Sequence, residues 1–314
     1  SGIEKSDIGN LFVIGMPFRI DGCEYFEGVN IDKRTFFDIM RNKEASFQTS
    51  QPSLYNVKEL WDNILKEYEK AGKIVLFRGD NVKWGKSFLT LLKKAETGSY
   101  WAFSDQDDVW LPDKIKWAVE WMKKQDQTKP LLFHSSYKLM SADMENELGI
   151  CTAPKYKFDF RRSLTDCLYQ GFSIVINGEC RRLMLDCEIN NLTSHDWWAC
   201  LLITKFGESY YDKRIASLHR RLDISMSSSK LSSKFKWLWK TLSTGNSDIR
   251  SCAQEFVRIY SPVCNDHDIE IASWFCGEKY SLLKSIKKAF YPKRWRPNIS
   301  SELVIRFLML IGKI

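Results

Sequence analysis

The sequence lacks any run of the roughly 18–20 consecutive apolar residues that a helix needs to cross a bilayer. Its first residues also lack a basic segment followed by an apolar one, so no secretory signal is expected. The 9 cysteines include no C-x-x-C pair and no zinc-ligand spacing, which argues against a disulfide framework or a zinc ribbon. These absences predict a cytoplasmic protein that is neither secreted nor integral to a membrane.

Composition favours a globular chain with a sizeable core, because 44% of its residues are hydrophobic and 14% are aromatic. Its 314 residues suggest two domains, or one large domain with an appendage. The net charge, 47 − 39 = +8, favours a polyanionic neighbour such as nucleic acid, an acidic membrane surface or a phosphorylated substrate.

Short apolar runs alternate with helical patterns in the first two-thirds of the chain, which predicts an α/β fold with a mainly parallel sheet. Amphipathic helices are predicted at about residues 54–68 and 112–124. The predicted strands are Leu11–Met16, Lys73–Phe77, Tyr100–Ser104, Leu131–His134 and Phe172–Ile176.

After the serine-rich stretch Ser225–Ser233, the patterns are helical only. We therefore predict a boundary near residue 228, between an α/β domain (1–228) and a helical region (229–314). The helices predicted in the second region are Phe235–Leu242, Ile249–Tyr260, Ile269–Phe275, Tyr280–Phe290 and Ile299–Ile311.

The most informative segment is Tyr100–Trp117 (YWAFSDQDDVWLPDKIKW), in which an apolar strand runs into an acidic turn and then a helix. Asp105, Asp107 and Asp108 would repel each other at the end of a strand unless a cation lay among them. Mg²⁺ and Mn²⁺ take oxygen ligands of this kind. The alternative is a solvated acidic turn that caps the following helix.

Two further segments follow: Gly171–Asn177 (GFSIVIN), and Ser194–Trp198 (SHDWW), which opens a helix. In this order the three segments resemble the family 2 glycosyltransferases, inverting enzymes with the nucleotide-sugar-binding fold called GT-A. The acidic segment is most similar to the bacterial rhamnosyltransferase-type subgroup, and the resemblance covers residues 73–228 well.

The resemblance implies a GT-A sandwich with a mainly parallel central sheet, followed by a C-terminal helical region. It implies an inverting glycosyltransferase that moves a sugar, L-rhamnose from dTDP-rhamnose being the first candidate, from a nucleotide-sugar donor. The acceptor would be a saccharide or a lipid-linked saccharide in bacterial surface-polysaccharide synthesis. The family's paired aspartates are absent from the N-terminal third, so the alternative is a catalytically silent nucleotide-sugar or glycan-binding module.

By the same resemblance, Asp196 matches the catalytic base, and Asp107 with Asp105 matches the ligands of Mg²⁺ or Mn²⁺. Trp197 and Trp198 are candidates for stacking on an acceptor, with core packing as the alternative. The residues expected to contact the donor are Asp105, Gln106, Arg78, Asn81, Gly171, His195, Arg220 and Arg221.

The segment Lys73–Ser87 (KIVLFRGDNVKWGKS) imitates a phosphate-binding P-loop, but five residues rather than four separate Gly79 from Gly85. A nucleoside triphosphatase is therefore a distant third hypothesis.

Residues 279–314 hold nine Lys and Arg side chains, and aromatic residues lie among them. This pattern favours peripheral contact with the anionic inner leaflet of a membrane over nucleic acid, because the resembled enzymes extend lipid-linked glycans. A helical cap or the interface of a homo-oligomer is the alternative.

Overall fold

A computed structural model describes most of the chain from residue 75 onward and short stretches before it. The described residues are 11–15, 25–29, 66, 69–70, 75–79, 82–95, 98–105, 108–152, 158–221, 239, 241–243, 247–262, 264, 266–277 and 280–314. The helix predicted at 54–68 falls almost entirely outside them, as does the boundary near residue 228.

The described part of the chain alternates strands and helices up to residue 220 and is helical after it. The strands are β1 (Leu11–Gly15), β2 (Tyr25–Val29), β3 (Leu76–Gly79), β4 (Tyr100–Ser104), β5 (Val109–Trp110), β6 (Leu131–Met140), β7 (Glu147–Cys151), β8 (Val175–Asn177) and β9 (Glu208–Arg220). The helices are α1 (Trp84–Lys94), α2 (Lys114–Met122), α3 (Phe160–Ser163), α4 (Gly178–Leu185), α5 (His195–Phe206), α6 (Ser247–Tyr260), α7 (His267–Ser273), α8 (Leu282–Ala289) and α9 (Ile299–Leu310).

A seven-stranded mixed sheet has the order β1-β4-β8-β6-β9-β5, and β7 pairs with β6 outside that path. The pairs β1–β4 and β6–β9 are parallel, whereas β4–β8, β6–β8, β5–β9 and β6–β7 are antiparallel. The α/β class is therefore confirmed, but the described sheet is mixed rather than mainly parallel. The GT-A sandwich stays a prediction from the resemblance.

The antiparallel direction of β8 follows from the hairpin between β6 and β7. A crossover helix would bring the chain back to the start of β6. The hairpin instead leaves the end of β7 opposite Tyr137, in the second half of β6. The chain then reaches β8 through a 3-10 turn, Gly171–Ser173, which contacts β4. This turn consequently lies at the carboxyl end of β4, beside the middle of β6. Ligands bind at the carboxyl ends of strands in α/β sheets.

One apolar core joins the sheet to helices from both predicted regions. Phe256 on α6 packs against Phe160 on α3, with ring centroids 4.8 Å apart, and against Phe206 on α5 at 6.0 Å. Trp295 is completely buried in the same core. The C-terminal helices therefore complete the core of the α/β part. None of the described helices is both long and apolar enough to cross a membrane.

Candidate functional site

The acidic turn begins directly after β4, at the carboxyl edge of the sheet. Asp105 is half-buried there, while Gln106 and Asp107 lie outside the described residues. Asp108 is completely buried, because β5 follows it immediately and pairs with β9. The turn is therefore not uniformly solvated, and Asp108 has a structural setting that differs from that of Asp105.

Asp108 joins β5 to the end of β9 through one carboxylate oxygen. Its Oδ1 accepts a hydrogen bond from the backbone N–H of Arg220 at 3.2 Å and lies 2.8 Å from Nδ1 of His219. The His219 ring stacks on Phe172, with 4.6 Å between ring centroids. These contacts tie the acidic segment to the turn Gly171–Ser173.

Lys114, the first residue of α2, is also completely buried beside this group. Its ammonium donates to the carbonyl oxygen of Phe172 and lies 3.7 Å from the ring centroid of Trp110. Burial lowers the pKa of Lys114 well below its usual value, and the charges of Asp108 and Asp105 oppose that shift. Sequence reasoning missed Lys114 and His219, because a lysine at a helix start and an isolated histidine are common at surfaces.

The turn Gly171–Ser173 also contacts the third predicted segment. A Cβ atom on Gly171 would lie 2.6 Å from Nε2 of His195 and 3.8 Å from Cβ of Asp196. Only glycine allows such a close approach between the turn and the start of α5. The structure thus brings Gly171 together with His195 and Asp196, while Phe172 in the same turn meets Lys114.

His195 is completely enclosed by aromatic rings. Its ring centroid lies 4.1 Å from that of Phe88, 4.9 Å from that of Phe103 and 5.7 Å from that of Trp84. Neither ring nitrogen has a hydrogen-bond partner among the described residues. Burial lowers the pKa of His195 to about 4, despite the opposing charge of Asp196, so the ring is neutral at pH 7.

Asp196 is half-buried in the first turn of α5 and uses one oxygen to cap that helix. Its Oδ1 accepts hydrogen bonds from the hydroxyl of Ser194 and from the backbone N–H of Trp197, the latter at 2.9 Å. Its Oδ2 has no hydrogen bond with any described residue. One carboxylate oxygen of Asp196 therefore holds the start of α5, and the other can accept a hydrogen bond from a ligand.

The two tryptophans after Asp196 have different environments. Trp198 is completely buried, and its indole N–H donates to the carbonyl of Met184 at 3.0 Å, so it is a core residue. Trp197 is half-buried, and its indole N–H donates to the carbonyl of Ser163 at 2.7 Å. A ring without exposed surface cannot stack on a ligand, so the core alternative holds for Trp198.

The remaining predicted contacts lie at two different places. Arg220 ends β9 beside β6 and Arg221 follows it, and Arg220 donates to the carbonyl of Ala142 at 2.6 Å. Arg78 lies in β3, but its side chain is outside the described part, as is the whole of Asn81. The hydrogen bond between Asp108 and Arg220 therefore brings the end of β9 to the acidic turn. The side chain of Arg78 and the whole of Asn81 have no described position.

The P-loop alternative meets a steric obstacle at Gly85. This residue lies in the first turn of α1, and a Cβ atom on it would lie 2.1 Å from the carbonyl oxygen of Thr193. The main chain before α5 occupies the space beside Gly85, whereas a P-loop leaves such space for phosphate.

Among the residues that the structure describes, no group of three or more His, Cys, Asp or Glu side chains could hold a metal ion. Asp105 is the one predicted metal ligand with a described position. The predicted Mg²⁺ or Mn²⁺ site at Asp105 and Asp107 stays a prediction.

No family model matches the chain, but part of it is similar to a curated protein. Over 73 residues, 23% of this chain, the sequence is 34% identical to a DegV domain-containing protein of Streptococcus pneumoniae. The match covers 26% of that protein, so the chain spans about a quarter of the length of the curated relative it matches.

This similarity points away from glycosyl transfer and gives no support to the resemblance described above. The predicted function, inverting glycosyl transfer in surface-polysaccharide synthesis, is therefore wrong. The roles assigned to the other site residues stay predictions.

Proposed function

We propose that the chain contains a ligand-binding α/β domain that takes a small polar molecule at the carboxyl edge of its sheet. The observation that carries the proposal is the position of the turn Gly171–Ser173. It meets Lys114 of the acidic segment through a hydrogen bond, and it meets His195 and Asp196 by close packing. Segments far apart in the sequence therefore converge at the edge where α/β sheets bind ligands.

The chemistry of the site favours a ligand that carries hydroxyl or amino groups. The free Oδ2 of Asp196 can accept a hydrogen bond, and a carboxylate accepts only. The ring of His195 is buried against Phe88 and Phe103, so it shapes the site beneath Gly171 and does not itself contact the ligand.

Replacing Asp196 with asparagine tests this proposal. In Asp196→Asn the amide oxygen can keep the two capping hydrogen bonds, while an NH₂ donor takes the place of the free oxygen. We expect small alcohols and amines that bind the unmodified chain, detected by saturation-transfer NMR, to bind at least about tenfold more weakly, because hydrogen bonds to charged groups contribute about 1.5–3 kcal/mol.

The matched control is Asp186→Asn, which changes a more exposed carboxylate at the end of α4. It should leave binding unchanged. Equal binding by wild type and Asp196→Asn, or no binding of any compound to the unmodified chain, would contradict the proposal.

A separate experiment tests the predicted cation site at the acidic turn. If Asp107 and Asp105 hold Mn²⁺, electron paramagnetic resonance should detect a bound ion, and Asp107→Asn should weaken its binding at least about tenfold, since a carboxylate ligand is lost. Asp113→Asn, six positions further along, is the control. Equal Mn²⁺ affinity in Asp107→Asn would show that the turn holds no metal.

A further inference from the structure

Helices α8 and α9 leave an apolar face uncovered. Residues four apart lie on one face of a helix, and large apolar side chains recur at that spacing on both helices. The exposed apolar residues are Leu282, Leu283, Ile286 and Phe290 at α8, and Ile299, Leu303, Phe307, Leu310 and Ile311 at α9. Contiguous apolar surface of this kind marks a site of interaction with a protein or a membrane.

The opposite face of α8 is polar and basic. Ser281, Lys284, Ser285 and Lys288 line a recess that they share with Arg250 of α6. The recess has a volume of about 30 Å³ and is partly open to solvent, and no Asp or Glu is among its lining residues. Three cationic side chains therefore converge on the side of α8 that lies away from the apolar face. We call this space the basic recess.

The cations of the basic recess have no Asp or Glu partner among the described residues. Lys284 donates to two main-chain carbonyls, at 2.9 and 3.0 Å, and Lys288 donates to the carbonyl of Ile314. Arg250 has no carboxylate partner in the described part of the chain. Burial, together with the charges of Arg250 and Lys284, lowers the pKa of Lys288 to about 8. An anion in the basic recess would relieve this repulsion.

Charge also indicates which kind of partner covers the apolar face. Residues 279–314 hold nine basic side chains and one acidic side chain, so their net charge, 9 − 1 = +8, equals that of the whole chain. A second copy, or the segment 225–246 with four lysines and no acid, would bring positive charge against positive charge. A bilayer with anionic headgroups instead offers negative charge directly beside apolar material.

We propose that α8 and α9 dock the chain on an anionic phospholipid surface. The apolar side chains enter the boundary between headgroups and acyl chains, and the exposed cations Lys293 and Arg294, between the two helices, meet anionic headgroups. This proposal goes beyond the ligand site at the sheet edge and does not rest on it, because its residues lie on different elements.

Vesicle flotation of the full chain tests the proposal. We expect association with vesicles that contain phosphatidylglycerol and little association with vesicles of phosphatidylcholine alone. Added salt should weaken the association, because screening reduces the electrostatic part.

Variants separate the two parts of the surface. The double variant Leu283→Gln/Phe290→Gln, at positions 67% and 71% exposed, should bind at least about tenfold more weakly. Lys293→Gln, which removes an exposed cation between α8 and α9, should bind phosphatidylglycerol vesicles about fivefold more weakly, the effect of about one basic side chain. The matched control, Leu148→Gln/Ile150→Gln, changes apolar positions 57% and 47% exposed on β7 and should bind normally. Thermal unfolding checks that each variant is folded.

Three results would overturn the proposal. The first is equal vesicle binding by the unmodified chain and the folded double variant. The second is the absence of any preference for phosphatidylglycerol, including no flotation at all. The third is a dimer, measured by sedimentation, that the double variant abolishes, since this would assign the apolar face to a second copy.

Discussion

Replacing Asp108 with alanine is expected to lower the free energy of unfolding by about 3–5 kcal/mol, the usual effect of removing one partner from a buried charged group. The variant removes the acceptor of the Arg220 backbone N–H and the partner of His219. It also leaves Lys114, which is completely buried, without the nearby negative charge that favours its protonated form. Urea denaturation measures the loss.

Two further variants make the result specific. Asp108→Asn keeps an oxygen acceptor but loses the charge, so its stability should fall between those of wild type and Asp108→Ala. Asp113→Ala changes a nearby carboxylate that makes no capping hydrogen bond with α2, and it should leave the denaturation midpoint unchanged. A loss below about 1 kcal/mol in Asp108→Ala would contradict the structural role described for this residue.

Acidification is expected to destabilise the fold between about pH 6.5 and pH 4. Burial lowers the pKa of His195 to about 4 and that of His134 to about 3, whereas an unfolded histidine titrates near 6.5. In this range the unfolded chain binds protons that the folded chain does not, so stability falls as the pH falls. His195 alone should account for about 3 kcal/mol at pH 4.

His195→Leu removes the titrating ring at nearly constant volume. The dependence of unfolding free energy on pH between 6.5 and 4 should then decrease by about 1.4 kcal/mol per pH unit, the effect of one bound proton. His267→Gln changes an exposed histidine and should leave that slope unchanged. An unaltered slope in His195→Leu would mean that the ring takes up its proton without loss of the fold.

Local patterns predict the strands that are apolar throughout and bounded by polar residues. β4 begins and ends at Tyr100 and Ser104 as predicted, because all five of its residues are buried. β6 is six residues longer than predicted, since the pattern ends at His134 where buried polar residues follow. Ser136 is buried there, and its hydroxyl donates to the carbonyl of Cys151 on β7. The burial of such a polar side chain depends on a partner far away in the sequence, so it produces no periodic pattern of apolar residues.

The direction of β8 could not be predicted for a similar reason. Leu148 and Ile150 on β7 are both exposed, so that strand shows no buried face and its hairpin with β6 went unrecognised. In the candidate site, the sequence identified Gly171, His195 and Asp196, which the structure brings together. It could not indicate that Asp108 meets His219, because 111 positions separate the two residues.

The core shared by the sheet and the C-terminal helices has a consequence for synthesis on the ribosome. Phe160 and Phe206 emerge well before Phe256, which covers them, and Trp295 emerges later still. Chains grow by roughly 5–20 residues per second, so the sheet remains incompletely covered for several seconds. During that interval exposed apolar surface makes the nascent chain a substrate for chaperones, and a stop codon that removed the last helices would yield an aggregation-prone product rather than a smaller stable domain.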